Sequence, residues 1–363
     1  MSFKLKPYTH PDFSEEPFVS APEARLCPAP CDHAAPEHFH AMSIFPEYFK
    51  IGGRWLLAEE SRMDCVAVYE DGGIRIREFR LLKKGDLVVT GRTEDGSEGI
   101  YVHADGFHES GASAKELFAF RQSRSRETGF SRDYRELGEL LRHEREHGKI
   151  VWVAGPALCF DHGARAAFSK LVDNGYVHAL LAGNALATHD LEAAWRHTAL
   201  GQDIRTLETM PGGHHNHLDT INRVRQYGGI PAFIEAERLD DGIICSCVKK
   251  GVPFVLAGSI RDDGPLPEVI GNVYEAQDRM RSEIRGATTV ICLATMLHSI
   301  AVGNMTPSFR VLPDGTVRQV YFYCVDVAEF TVNKLCDRGS LAAKGIVTNV
   351  QDFVVGLSRD LGL

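Results

Sequence analysis

The chain has 363 residues, 44% of them hydrophobic and 25% charged, with a formal net charge of −9. Such a composition fits a globular protein large enough for two domains. The acidic balance argues against a nucleic-acid partner, which is gripped through clustered Lys and Arg. No run approaches the ~18–20 apolar residues that span a bilayer. The opening MSFKLKPYTHPDF lacks the apolar core of a secretory signal. Of nine cysteines, Cys159, Cys245, Cys292 and Cys324 sit in apolar segments, as reduced thiols do. A cytoplasmic location is expected, with no membrane contact.

Residues 1–40 are rich in Pro, His and Ala and lack periodicity, which predicts an irregular arm. Cys27, Cys31, His33, His38 and His40 have tolerable zinc spacing, but no second cysteine pair follows and Pro breaks the segment, so no metal is assigned. Residues 41–120 read as a small β-rich domain. Strand-like runs flank Asp71-Gly72-Gly73 and again Glu94-Asp95-Gly96, two hairpin signals. Residues 121–148 are read as a basic linker, RQSRSRETGFSR, followed by a one-sided helix carrying Tyr134, Leu137, Leu140 and Leu141 and ending at Gly148.

From 149 to 363 the pattern alternates. Apolar runs at Ile150–Ala154, Val177–Ala182, Pro253–Ala257, Thr289–Ala294, Val320–Val325 and Lys344–Thr348 predict buried parallel strands. Helices are predicted at Ala164–Asn174, His189–Leu200, Leu218–Gln226, Ile243–Lys250, Val273–Arg285, Leu297–Gly303, Ala328–Arg338 and Val350–Leu361, with an extra hairpin around Asp314-Gly315. The fold class is therefore α/β: a doubly wound, mostly parallel, Rossmann-like sheet beside a small N-terminal β-rich domain. Each strand stops at a cluster of small and polar residues. In a parallel sheet these clusters share the carboxyl edge, where open α/β sheets bind ligands.

The usual G-x-G-x-x-G is missing; the first turn reads GPALCFDHG. The best phosphate-facing turn is ATMLHSIAVGN, where Thr295 can cap a helix and the N–H groups of Met296, Leu297 and His298 point outward. The alternative is a cap and a surface histidine. Asp326 ends a strand, where an acid can meet ribose hydroxyls or cap the next helix, and Asn349 has the same two readings. In GSIRDDGP, Arg261, Asp262 and Asp263 form either a charged site or a local ion pair. In GNALATHD, Asn184 offers an amide, and His189 beside Asp190 suits proton transfer near neutral pH, although a cap also explains Asp190. PGGHHNHL carries His214, His215 and His217, whose spacing favours substrate contact or helix entry over metal.

These motifs together resemble a known family. GPALCFDHGARAAFSKLVDNGYVHALLAGNALATHDLE, GGHHNHL, VPFVLAGSIRDDGPLPEVI, LATMLHSIAVGN and DRGSLAAKGIVTNV are similar to the archaeal-type ornithine cyclodeaminases, which carry the label of the conserved region of lysine-ketoglutarate reductase/saccharopine dehydrogenase. The same module resembles the C-terminal part of cyanobacterial arginine dihydrolase–ornithine cyclodeaminase fusions. The likeness covers about residues 149–360. It implies a tightly held NAD and a lyase turning L-ornithine into L-proline and ammonia. It further implies cofactor contacts at Asn184, Ala185, Asp263, Thr295, Met296, Leu297, His298, Asp326, Asn349 and Val350. The family usually has Asp where this chain has Asn349.

In that reading NAD takes hydride from the substrate Cα, the terminal amine closes the ring, ammonia leaves and the hydride returns. His189, Asp190 and Asp262 are the candidates for proton transfer; Arg261, His214 and His217 are those for the amino-acid substrate. A homo-oligomer is expected. The rival readings are a net NAD-dependent amino-acid dehydrogenase of the saccharopine type, a cyclodeaminase of a related diamino acid, and a non-catalytic NAD-sensing regulator.

Overall fold

The six apolar runs become neighbours in one parallel sheet. A computed structural model of the protein describes residues 3–107, 131–262, 264–336 and 340–363. Its sheet strands are β1 (Ile150–Ala154), β2 (Ala179–Gly183), β3 (Phe254–Ala257), β4 (Val269–Ile270), β5 (Thr289–Leu293), β6 (Tyr321–Asp326) and β7 (Ala343–Val347). Their order is β4-β3-β2-β1-β5-β6-β7, with every neighbouring pair parallel. The edge strand β4 was not expected, because two residues are too few to leave an apolar run. All five residues of β1 and of β5 are buried. Helices cover both faces of these central strands, so no polar alternation survives in them. One face packs against Leu137, Phe168, Phe233 and Phe353, the other against Met280, Ile284, Val302 and Val332.

Helices Ile243–Lys250 and Val350–Leu361 have the expected limits, and His162–Asp173, Asn216–Tyr227, Val273–Ile284, Met296–Met305 and Glu329–Cys336 lie close to theirs. The expected span Ala328–Arg338 runs into residues 337–339, outside the described residues. Two differences matter. Helix Asn184–Arg196 starts directly off β2 rather than at His189, because extended Gly183 (φ −112°, ψ 178°) passes straight into the helical turn. A helix at Ile230–Ala236, begun by Pro231, was missed.

The N-terminal portion is antiparallel. Arg25–Pro28, Leu87–Thr90, Cys65–Glu70 and Gly73–Glu78 make a four-stranded sheet, and Arg54–Leu57, Glu47–Ile51 and Ile100–Val102 a three-stranded one. The arm is thus not irregular throughout: Arg25–Pro28 pairs with Leu87–Thr90. The Asp71-Gly72 hairpin forms, with both residues at positive φ (53° and 79°) as a tight turn requires. The second hairpin does not form as expected. Gly96 N–H still donates to Ile100 O at 2.8 Å, but Leu87–Thr90 and Ile100–Val102 join different sheets. The basic stretch 121–132 falls almost entirely outside the described residues.

The connecting helix Ser131–His147 buries Leu137, Leu140 and Leu141. Its fully buried Glu144 accepts from Arg318 Nη2 at 2.9 Å and from Thr288. The expected hairpin forms from Phe309–Val311 and Val317–Gln319 and reaches the β-rich region, where Val311 N–H donates to Glu59 O at 3.0 Å and Ser308 N–H to Ser61 O at 2.9 Å. Nearby, Glu78 is shared by Arg62 and by Arg281 (2.8 Å), and Arg80 pairs with Asp278.

Candidate functional site

The chain leaves β1 and runs outward in one direction to β4, then returns to β5 on the other side of β1. Between β1 and β5 the winding therefore reverses, and the loops leaving these strands diverge to open a crevice. The crevice, about 360 Å³, is lined by Ala154–Pro156 after β1, Gly183–Leu186 after β2, Ala257, Ser259, Arg261 and Asp262 after β3, and Thr295–His298 after β5.

At two of these turns a side chain would meet a close neighbour, and at Gly155, which faces backbone, glycine is required. A Cβ on Gly155 would stand 2.1 Å from Ala294 O, and one on Gly183 2.8 Å from His298 Cε1. Ala294 itself is held at φ +45°, a strained conformation for a residue with a Cβ.

The helix starts in the crevice differ from three of those elsewhere, while Asn216–Tyr227, Ile230–Ala236 and Ile243–Lys250 likewise receive no side-chain cap from the residue before them. Asp161, Asn272 and Asn349 cap their helices by accepting N–H groups of the first turn. Neither Gly183 before Asn184–Arg196 nor Thr295 before Met296–Met305 gives a side-chain cap. The expectation that Thr295 caps is therefore corrected: its hydroxyl meets His298 Nδ1 at 3.3 Å. Two helices thus present first-turn N–H groups, and the positive ends of their dipoles, to one concave space.

Asn184 Oδ1 accepts from Leu266 N–H at 3.0 Å and Thr188 Oγ1 at 3.2 Å, tying the loop after β3 to the start of the helix. That loop closes on itself, Asp262 Oδ2 accepting from Ser259 N–H at 2.8 Å. Among the described residues no ion pair joins Arg261 to Asp262; Asp263 lies outside them. Burial pulls the pKa of His298 below its ordinary value, opposed by the charge of Asp262.

Asn184, Ala185, Arg261, Asp262 and Thr295–His298 thus come together, as expected from the sequence. Asp326, Asn349 and Val350 lie at the ends of β6 and β7, on the same edge but outside the crevice lining. Asp326 Oδ1 accepts from Ala328 N–H at 2.8 Å; Asn349 Oδ1 accepts from Gln351 N–H at 2.7 Å; Val350 is buried.

His189 and Asp190 are not at a helix start but inside a helix, and both are buried. Asp190 accepts from Arg165 Nε at 2.6 Å and from Ile243 and Ile244 N–H at 3.0 and 2.8 Å, so its carboxylate caps another helix. His189 Nδ1 meets Glu192 at 2.9 Å, and Glu192 also accepts from Thr198 Oγ1 at 2.8 Å. His217 places its ring 6.0 Å from His189, its Nδ1 buried without a partner, while His214 is exposed. None of these four lines the crevice. Among the described residues, no three metal-ligating side chains converge to hold a metal ion. The sequence reading missed Gly155, Gly183 and Ser259 as lining residues, although an Ala-Gly pair closing three of the apolar runs was a usable signal.

The family model for the arginine dihydrolase ArgZ-like C-terminal Rossmann fold matches residues 135–357. Ornithine cyclodeaminase of Methanopyrus kandleri is 40% identical over 94% of this chain and 79% of its own length. That of Archaeoglobus fulgidus is 42% identical over 92% and 77%. The chain belongs to the ornithine cyclodeaminase family. A conserved LOR/SDH protein from Methanococcus maripaludis S2 superposes with a TM-score of 0.84 at 37% identity, covering 94% of this chain and 98% of that one. AgrE, solved as a ternary complex with ornithine and NAD+, gives a TM-score of 0.59 at 34% identity over 94% of this chain and 46% of AgrE. Family members therefore include stand-alone proteins and modules of longer fusions, and the crevice of this chain lies within the matched segment.

Proposed function

We propose that this chain is an NAD-dependent ornithine cyclodeaminase, converting L-ornithine to L-proline and ammonia with the cofactor restored in each turnover. The observation that carries the reading is the convergence of two uncapped helix starts and two close-approach glycines on one crevice at the reversal of strand order. This arrangement fits a dinucleotide: unpaired N–H groups and helix dipoles favour a diphosphate, and side-chain-free turns let the backbone approach it. AgrE, at 34% identity, binds both ornithine and NAD+, which supports the same pair of ligands here.

When bound, the nicotinamide accepts hydride from the substrate carbon and later returns it. The residues of this chain bind and orient. The helix starts at Asn184 and Met296 would hold the diphosphate, and Asp326, farther along the same edge, the ribose hydroxyls. Asn184 also fixes the loop bearing Arg261, placing a guanidinium at the crevice for the ornithine carboxylate. Holding the substrate in this crevice would bring its amine close to its own carbon for ring closure.

The test is mass spectrometry of purified protein incubated with L-ornithine. Proline, ammonia and co-purifying NAD are expected, without build-up of the reduced-nicotinamide absorbance. Stoichiometric NADH accumulation would assign a net dehydrogenase, and NAD binding without ornithine consumption would assign a regulator.

A further inference from the structure

Ring closure poses a proton problem that the residues named so far do not solve. The terminal amine of the substrate adds its lone pair to the imine carbon, forming a C–N bond, and its nitrogen then carries one proton too many. The original α-nitrogen must gain a proton before it can leave with its bonding pair as ammonia, while the ring nitrogen's freed lone pair forms the new C=N bond. One proton therefore moves between two nitrogens on the same carbon, with no net redox change. A single neutral imidazole nitrogen facing that carbon can take the proton from one and give it to the other.

His189 and Asp190 do not meet this need, because Glu192 and Arg165 already engage them in the interior. Asp262 is engaged in its own turn with Ser259 N–H. His298 differs from all three. It lines the crevice after β5, and it also forms part of the wall of the adjoining apolar recess of about 270 Å³ bounded by Val273, Tyr274 and Met280. Its Nδ1 faces Thr295 Oγ1 at 3.3 Å, which can fix the tautomer with Nδ1 protonated. Among the described residues none hydrogen-bonds its Nε2, and that atom is not sealed in the interior. The ring rests over Gly183, where any side chain would displace it. The titratable groups around it are Asp262 and Arg261 from the loop after β3 and Tyr274 from the helix behind; of these Asp262 acts on it, against the effect of burial, which keeps the imidazole neutral at physiological pH.

We propose that His298 is a catalytic residue of the crevice: Nε2 carries the proton from the ring-closing nitrogen to the departing one, and Thr295 positions it. This assignment rests on the cyclodeaminase reading given above and adds to it a residue for the elimination step.

The experiment compares the full-length, NAD-loaded protein with His298→Gln and Thr295→Val. For His298→Gln, kcat should fall about 10²–10³-fold, while ornithine affinity by calorimetry and retained NAD stay within about threefold. On mixing with ornithine, the variant should accumulate reduced-nicotinamide absorbance, because oxidation proceeds and elimination does not; the wild type should not. The acid limb of the wild-type kcat profile should lie below the ordinary histidine value of about 6.5 and be absent in the variant. Thr295→Val should lower kcat about tenfold, as loss of a supporting partner does, and move that limb. A kcat within threefold of wild type overturns the assignment, as does a loss restored by saturating NAD. If His298→Gln does not fold, Thr295→Val and the wild-type acid limb decide: no change in the one and no limb in the other overturn it. Wild-type protein that makes no proline from ornithine overturns the cyclodeaminase reading first, before any variant is compared, and this assignment with it.

Discussion

Two neighbourhoods of this molecule contain the same kinds of side chain and have opposite fates. Around Arg165, Asp190, His189 and Glu192 every carboxylate has its donors: Asp190 takes a guanidinium and two backbone N–H groups, and Glu192 takes an imidazole and a hydroxyl. Around His298, Asp262 and Arg261 the polar groups are held by short local contacts but still face open space. The first arrangement fixes the fold, since a buried charge is tolerated only when paired and hydrogen-bonded. The second leaves capacity for a ligand. A His-Asp dipeptide in the sequence is thus no guide to function until it is known how many donors and acceptors around it are already used.

The contrast can be broken most sharply at Asp190. Asp190→Ala leaves Arg165 buried without its inner partner and should cost about 3–5 kcal/mol in denaturant unfolding. A cost below about 1 kcal/mol would place Asp190 among weakly held groups and undo the comparison. On the other side, Gly155→Ala drives a methyl into Ala294 O. It should cost about 1–3 kcal/mol of stability through overpacking and weaken NAD binding at least about tenfold, equivalent to about 1.4 kcal/mol, measured by equilibrium dialysis. Asn349→Ala removes a helix cap and should cost about 1 kcal/mol while NAD affinity changes less than about twofold; a tenfold loss of affinity, about 1.4 kcal/mol, would move Asn349 from cap to cofactor contact. The smallest effect is one of pH. His298 has a lowered pKa in the fold, so the unfolded chain takes up this proton first. Its contribution to stability is whole above about pH 6.5 and declines as pH falls toward the folded value. Thermal melts across that window should show a drop in the wild type that is smaller in His298→Gln.

The sequence carried much of the architecture because the central strands are buried on both faces and therefore read as unbroken apolar runs. β4 was invisible for the converse reason, being a two-residue edge segment. The start of helix Asn184–Arg196 was misplaced because Gly183, read as a loop residue, serves as the junction itself. For the site, strand-end position was enough to bring Asn184, Ala185, Arg261, Asp262 and Thr295–His298 together. The roles within that edge were less legible. Whether Thr295 caps a helix or holds a histidine is settled by a hydroxyl rotation, and whether Asp190 faces substrate or Arg165 by a residue 25 positions away in the chain. Neither leaves a local trace. The second hairpin failed for a similar reason: the turn around Gly96 is real, but which sheet each arm joins is decided by Arg25–Pro28 and Glu47–Ile51 far upstream.

Glu78 bridges Arg62 of its own β-rich region and Arg281 of the helix Val273–Ile284, beside backbone bonds from Ser308 and Val311 to Ser61 and Glu59. Arg62 and Arg281 are almost wholly shielded from solvent, so moderate salt screens this bridge little. The β-rich region and the parallel sheet are therefore riveted rather than hinged. They should melt in one calorimetric transition, with no swinging of one lobe against the other.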